Sequence, residues 1–117
     1  MQYLLLIYNN EAKSAATPDN GALMKEYGDF TRSIIDSEHY KGGNALQPVT
    51  TATSVRVRDG KSLLTDGPFA ETVEQLGGYY LIEAANLDDA TAIAARIPGA
   101  RTGTIEVRPI WSMPRPA

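Results

Sequence analysis

The sequence predicts an α+β domain of ferredoxin-like, split βαβ order, an antiparallel sheet with two helices packed on one face. Three observations carry the prediction. Apolar strand-like runs open and close the chain, two helical stripes lie between them, and a two-residue turn signal separates the helices. At 117 residues the chain is large enough for a real core and too small for two, so residues 1–117 read as one domain.

Gln2-Tyr3-Leu4-Leu5-Leu6-Ile7-Tyr8 is apolar on both alternating faces, the pattern of a strand covered from both sides. A turn-rich stretch is expected from Asn9 to Asn20, with Thr17 capping a helix that carries Pro18 at its first position. Leu23, Tyr27, Phe30 and Ile34 recur at helical spacing, and Gly42-Gly43 is expected to stop that helix. Thr53 to Arg58 alternates, with Val55 and Val57 opposite Arg56 and Arg58. Asp59-Gly60 then supplies a hairpin turn, and Leu63-Leu64 continues the return strand. After a tight turn at Asp66-Gly67-Pro68-Phe69, Tyr79 to Ala84 reads as a strand. Asn86 caps a second helix, with Asp89 as the acidic member of a capping box. Ala90, Ile93, Ala94 and Ile97 make its stripe, and Pro98-Gly99 ends it. Thr104 to Trp111 is the last strand, with Ile105, Val107 and Trp111 on one face, and residues 113–117 are a tail.

A sheet with helices on one face leaves the other bare, yet residues 2–8 and 79–82 are apolar on both faces. An uncovered apolar face of several hundred Å² is seldom left in water. A second copy is the economical cover. The expectation is a homodimer packed sheet to sheet, a dimeric α/β barrel.

Composition excludes several classes. Apolar content of 43% and charged content of 21% match globular averages and argue against disorder. A net charge of −3 supplies no basic face, so nucleic acid is not an expected partner. The run Leu4–Ile7 falls far short of the ~20 residues of a membrane helix. No cysteine is present, which removes disulfides, thiolate nucleophiles and Cys-ligated metals. With no secretory pattern at the N-terminus, a cytoplasmic protein is expected. No cofactor is expected either, because Gly42-Gly43 and Gly77-Gly78 lack the strand-to-helix context of a phosphate loop. A single histidine and no Gly-x-Ser-x-Gly elbow leave no nucleophilic triad.

Asp66 leads the candidate residues. Its carboxylate can hold the Gly67-Pro68 turn by accepting backbone amide hydrogens. Placed instead at the mouth of a pocket, burial would raise its pKa and let it act as acid or base. Phe69, Glu71, Gln75 and Tyr79 are the candidate ligand contacts beside it. Phe69 serves equally well as a core anchor. Glu71, Glu74 and Gln75 have the spacing of one side of a helical turn, and with Asp66 they could offer oxygens to a hard cation, although no dedicated ligand spacing is visible and no metal is expected. Tyr79 and Tyr80 point to opposite faces of their strand, so at most one faces any cavity. His39 at the end of the first helix suits the helix dipole and is also the one side chain poised near neutral pH. Arg56, Arg58 and Arg108 read as a solvated face, with an anion site as the sharper alternative.

Four segments also carry a family likeness. Met1-Gln2-Tyr3-Leu4-Leu5-Leu6-Ile7-Tyr8, Val55-Arg56-Val57-Arg58-Asp59-Gly60, the Asp66-to-Tyr80 block and Glu106-Val107-Arg108-Pro109 resemble the DGPF-domain proteins of the YCII-related family. The resemblance covers nearly the whole chain and implies a dimeric α+β barrel. It also implies an enzyme-like His–Asp pair in a cleft, and a regulatory connection to extracytoplasmic-function sigma factors. The histidine of that pair would stand between Met24 and Tyr27, where this chain has none, so a His–Asp mechanism does not transfer. The expected function is a small-molecule-binding or regulatory protein with a cleft bounded by residues 66–76. The alternatives are a cofactor-independent enzyme using Asp66 as acid or base, and a structural dimer module contacting a transcription factor.

Overall fold

In chain order the elements are β1 (Gln2–Asn9), α1 (Glu11–Ala16), α2 (Ala22–Asp36), β2 (Tyr40–Ala45), β3 (Thr53–Arg58), β4 (Lys61–Asp66), β5 (Gln75–Glu83), α3 (Leu87–Ala94) and β6 (Thr104–Pro109). Short 3₁₀ turns lie at Val49–Thr51 and Pro98–Arg101. The computed structural model describes residues 1–16 and 21–114, so the Thr17-Pro18 cap and the end of the tail lie outside the described residues.

The apolar run of β1 takes a central place in a four-stranded antiparallel sheet of order β2-β5-β1-β6. Counting only those four strands, this is the ferredoxin-like order, with the β3–β4 hairpin inserted between the second and third. Tyr3, Leu5 and Ile7 turn inward from β1, and Tyr80 and Ile82 from β5. Against them pack Phe30 and Ile34 of α2 and Ala90, Ile93 and Ala94 of α3. Leu5, Ile34, Ile82 and Ile97 are fully buried, each worth roughly 1.5–3 kcal/mol of transfer free energy. Leu4, Leu6 and Leu81 line the opposite face of the sheet and are half-buried.

The structure corrects the expected element list in four places. A short helix, α1, stands where a turn-rich stretch was expected, anchored by the Glu11 carboxylate, which accepts from Val49 N–H at 3.1 Å. Gly42-Gly43 does not stop α2. That helix ends at Asp36, and Glu38 (φ 66°) turns the chain while His39 N–H donates to Ile34 C=O at 2.9 Å. The two glycines belong to β2, a strand whose glycine content hides it from propensity. A Cβ at position 43 would sit 2.8 Å from the Tyr79 carbonyl and 2.9 Å from the Tyr80 ring, so close strand approach requires glycine there.

The hairpin forms as expected at Asp59-Gly60, with φ of 52° and 72°, the positive pair of a two-residue turn. It does not join the main sheet. β3 and β4 pair only with each other, and nearly every residue of the hairpin is exposed. The hairpin therefore stands away as an arm. The radius of gyration is 16.5 Å, against about 13 Å for a compact 100-residue domain.

Lastly, residues 70–74 form bends and no helical turn, because Thr72 Oγ1 donates to Glu74 C=O at 2.5 Å and Gln75 Nε2 to Thr72 C=O at 2.8 Å. Smaller adjustments follow the same logic. Asn86 Oδ1 accepts from Asp89 N–H at 2.9 Å as expected of a cap, while the Asp89 carboxylate reaches one residue further, to Ala85 N–H. β6 stops at Pro109, leaving Trp111 exposed and off the strand face assigned to it. Leu23 is likewise exposed at the start of α2.

Candidate functional site

Four strand residues without bulk create a cleft beneath α2. On the side facing α2, β2 presents Gly43 and Ala45, and β5 presents Gly78, with Gly77 at a register bulge. Nothing long rises from these positions to fill the space beneath the helix. The result is a cleft of about 350 Å³ that opens to solvent. Tyr27 and Thr31 of α2 form one wall, and Tyr40 and Tyr80 another. Ile7 and Asn9 close the β1 side, and the Asn44 and Tyr79 positions complete the β2–β5 edge.

The hydroxyl groups of this cleft are held in place. Tyr27 Oη accepts from Gly99 N–H at 3.2 Å, which ties α2 to the 3₁₀ turn after α3. Arg101 to Glu26 at 2.5 Å and Arg96 to Ser33 fasten the same two regions, and Arg96 also lies 5.5 Å from the Phe30 ring centre. Thr31 Oγ1 donates to Tyr27 C=O at 2.8 Å and lies 2.7 Å from Tyr80 Oη. The Tyr80 ring meets Phe30 edge-on at 5.3 Å and Tyr40 at 6.4 Å. Burial lifts the Tyr27 phenol above its ordinary value near 10, against a lesser pull downward from the Gly99 hydrogen bond. The group stays a neutral phenol at physiological pH.

Of the candidate residues Asp66, Phe69, Glu71, Gln75 and Tyr79, only Tyr79 stands at this cleft, and its strand neighbour Tyr80 lines it as well. Asp66 is the last residue of β4, exposed on the arm. The turn after it is held from β3: Gly67 N–H donates to Ala52 C=O at 2.7 Å and Ser54 Oγ to Gly67 C=O at 3.0 Å. Among the described residues the Asp66 carboxylate has no hydrogen-bond partner, so the turn does not rest on it. Phe69 is 80% exposed rather than a core anchor, and Glu71 is exposed beside it. Gln75 opens β5, and its Oε1 accepts from Glu11 N–H at 3.0 Å. Glu74 accepts from Thr104 Oγ1 at 2.8 Å. Tyr79 Oη accepts from Asn44 Nδ2 at 2.9 Å.

His39 lies elsewhere, between the end of α2 and the start of α3. Its Nδ1 is 2.6 Å from Ser37 Oγ and its Nε2 3.5 Å from the Asp89 carboxylate. Ser37 Oγ is also 3.3 Å from Ile34 C=O, so the group links one helix C-terminus to the next N-terminus. Arg56, Arg58 and Arg108 are exposed.

The YCII-related domain model matches residues 1–114 of the chain. The chain belongs to the YCII-related family. An uncharacterized protein of Rhizobium meliloti (strain 1021) is 36% identical over 114 residues, covering 94% of this chain and 92% of the relative. In this YCII-related chain, the stretch from Met24 to Tyr27, where the resemblance leads one to expect a histidine, ends in the tyrosine that walls the cleft. Sequence reasoning missed Tyr27, Thr31 and Tyr80 as a group. Tyr27 and Tyr80 read as core, and the signal that joins them is the pair of glycine doublets facing them across the sheet.

No helix among the described residues is long and apolar enough to cross a membrane.

Proposed function

We propose that this YCII-related chain binds a small molecule in the cleft between α2, β2 and β5, and does so as a cytoplasmic homodimer. One observation carries the binding reading: tyrosine and threonine hydroxyls converge on an open cleft of about 350 Å³ that no side chain fills. That size lies within the range of about 300–1,000 Å³ common to small-molecule sites. A binding or regulatory role fits this cleft better than acid–base catalysis by Asp66. Asp66, the acid–base candidate, is exposed and outside the cleft lining, and the cleft itself holds no ionised group. The dimer reading draws on apolar surface that one chain leaves uncovered, both on the Leu4–Leu6–Leu81 face and on the arm. The binding reading is tested by crystallising protein purified without added ligand, where density is expected beside Tyr27 and Tyr80.

A further inference from the structure

Asn9 breaks the pattern of its strand. Alternation along β1 turns Tyr3, Leu5, Ile7 and Asn9 to one face, and the first three are buried in the apolar core. Asn9 is only half-buried, and it lines the cleft. Its amide lies against Gly77, where a Cβ would sit 3.6 Å from Nδ2 and 3.7 Å from Oδ1. Glycine at that position puts no side chain over the amide. Among the described residues, the Asn9 side chain has no hydrogen-bond partner.

An Asn amide holds an acceptor oxygen and a donor nitrogen on one planar group, so the two stand side by side whichever way the amide is turned. A ligand edge with a donor next to an acceptor meets both at once, which is how Asn reads adenine in nucleic acid. The rest of the lining narrows the ligand further. No charged side chain borders the cleft, so an ionised group would give up its hydration without a counter-charge. Tyr27, Tyr40 and Tyr80 supply aromatic walls, which suit a flat ring.

We infer that the cleft, taken as the binding site proposed above, accepts an uncharged aromatic heterocycle whose edge sets an N–H beside a ring nitrogen, as in a free purine base. The Asn9 amide reads that edge, and so decides specificity.

The test titrates three flat bicyclic probes of similar size into the full-length protein at millimolar concentration. NMR follows the side-chain amide protons of Asn9 and the backbone amides of Gly77 and Gly78. The azaindole whose ring nitrogen adjoins its pyrrole N–H carries the whole edge. Indole keeps the N–H and lacks the acceptor, and indole carboxylate adds a charge. The azaindole should shift all three signals and bind about tenfold more tightly than either indole, as one hydrogen bond's difference implies. Asn9→Leu should abolish the preference for the azaindole over indole, a change in selectivity that a merely structural residue would not produce. Equal binding of azaindole and indole by the wild-type chain would overturn the role of Asn9, and that comparison needs no variant to fold. Indole carboxylate binding as well as the azaindole would overturn the neutrality of the site. If no probe moves these signals while crystals show density in the cleft, the heterocycle assignment alone fails. An empty cleft with no shifts removes the binding reading beneath it.

Discussion

At the scale of single residues, Tyr27 does two jobs. It lines the cleft and accepts from Gly99 N–H, a buried donor. Tyr27→Phe leaves that amide unmet and should cost about 1–3 kcal/mol. The phenol also links stability to pH. Because burial raises its pKa in the folded chain, the unfolded chain ionises first, near pH 10. This contribution is therefore fully present below about pH 10 and is lost as pH rises through the folded value. Thermal melts between neutral and strongly alkaline pH should fall more steeply for wild type than for Tyr27→Phe. Parallel curves would mean the tyrosine titrates as it does in the unfolded chain. Asp66 has no counterpart to this. Its prominence in the sequence came from the residues around it, and among the described residues its exposed carboxylate holds no hydrogen bond.

At the scale of elements, what was legible depended on whether side chains or backbone approach set the structure. β1, α2, α3 and β6 were readable because apolar periodicity dictates them: Phe30 and Ile34, or Ala90, Ile93 and Ala94, fall on one face and are buried there. The Asn86 cap was readable because one side-chain oxygen meets one free amide. β2 was not, since Gly42 and Gly43 look like a helix stop and only the nearness of the Tyr79 carbonyl explains them. The candidate site suffered for the same reason. The cleft is made by side chains that are missing, and a doublet of glycines does not say which face it leaves open. The β3–β4 turn was legible in full, and its positive φ values make a clear prediction. Gly60→Val forces a β-branched residue into left-handed backbone and should destabilise by about 1–3 kcal/mol. A melting temperature equal to wild type would mean that the arm's tip is not coupled to the unfolding of the domain.

At the scale of the whole molecule, the arm is the feature a single chain does not account for. Val55 is 61% exposed, Val57 59% and Leu64 71%, and the radius of gyration exceeds that of a compact domain of this length. Together with the half-buried leucines on the outer sheet face, this is more apolar surface than a soluble monomer usually leaves in water. A second copy covering it is the proposed outcome. Light scattering at micromolar concentration should give twice the chain mass of 12.7 kDa, and a monomer mass would count against the dimer. The cleft lies on the helix side of the sheet, away from that outer face, so its occupancy can be judged separately from assembly. The most direct measurement of the central claim is the crystal structure of protein purified from cells with no ligand added. Density for a small molecule is expected within hydrogen-bonding distance of Tyr27 Oη and Tyr80 Oη. A cleft holding only water, with a bound molecule instead against Asp66, Phe69 and Glu71 on the arm, would contradict it.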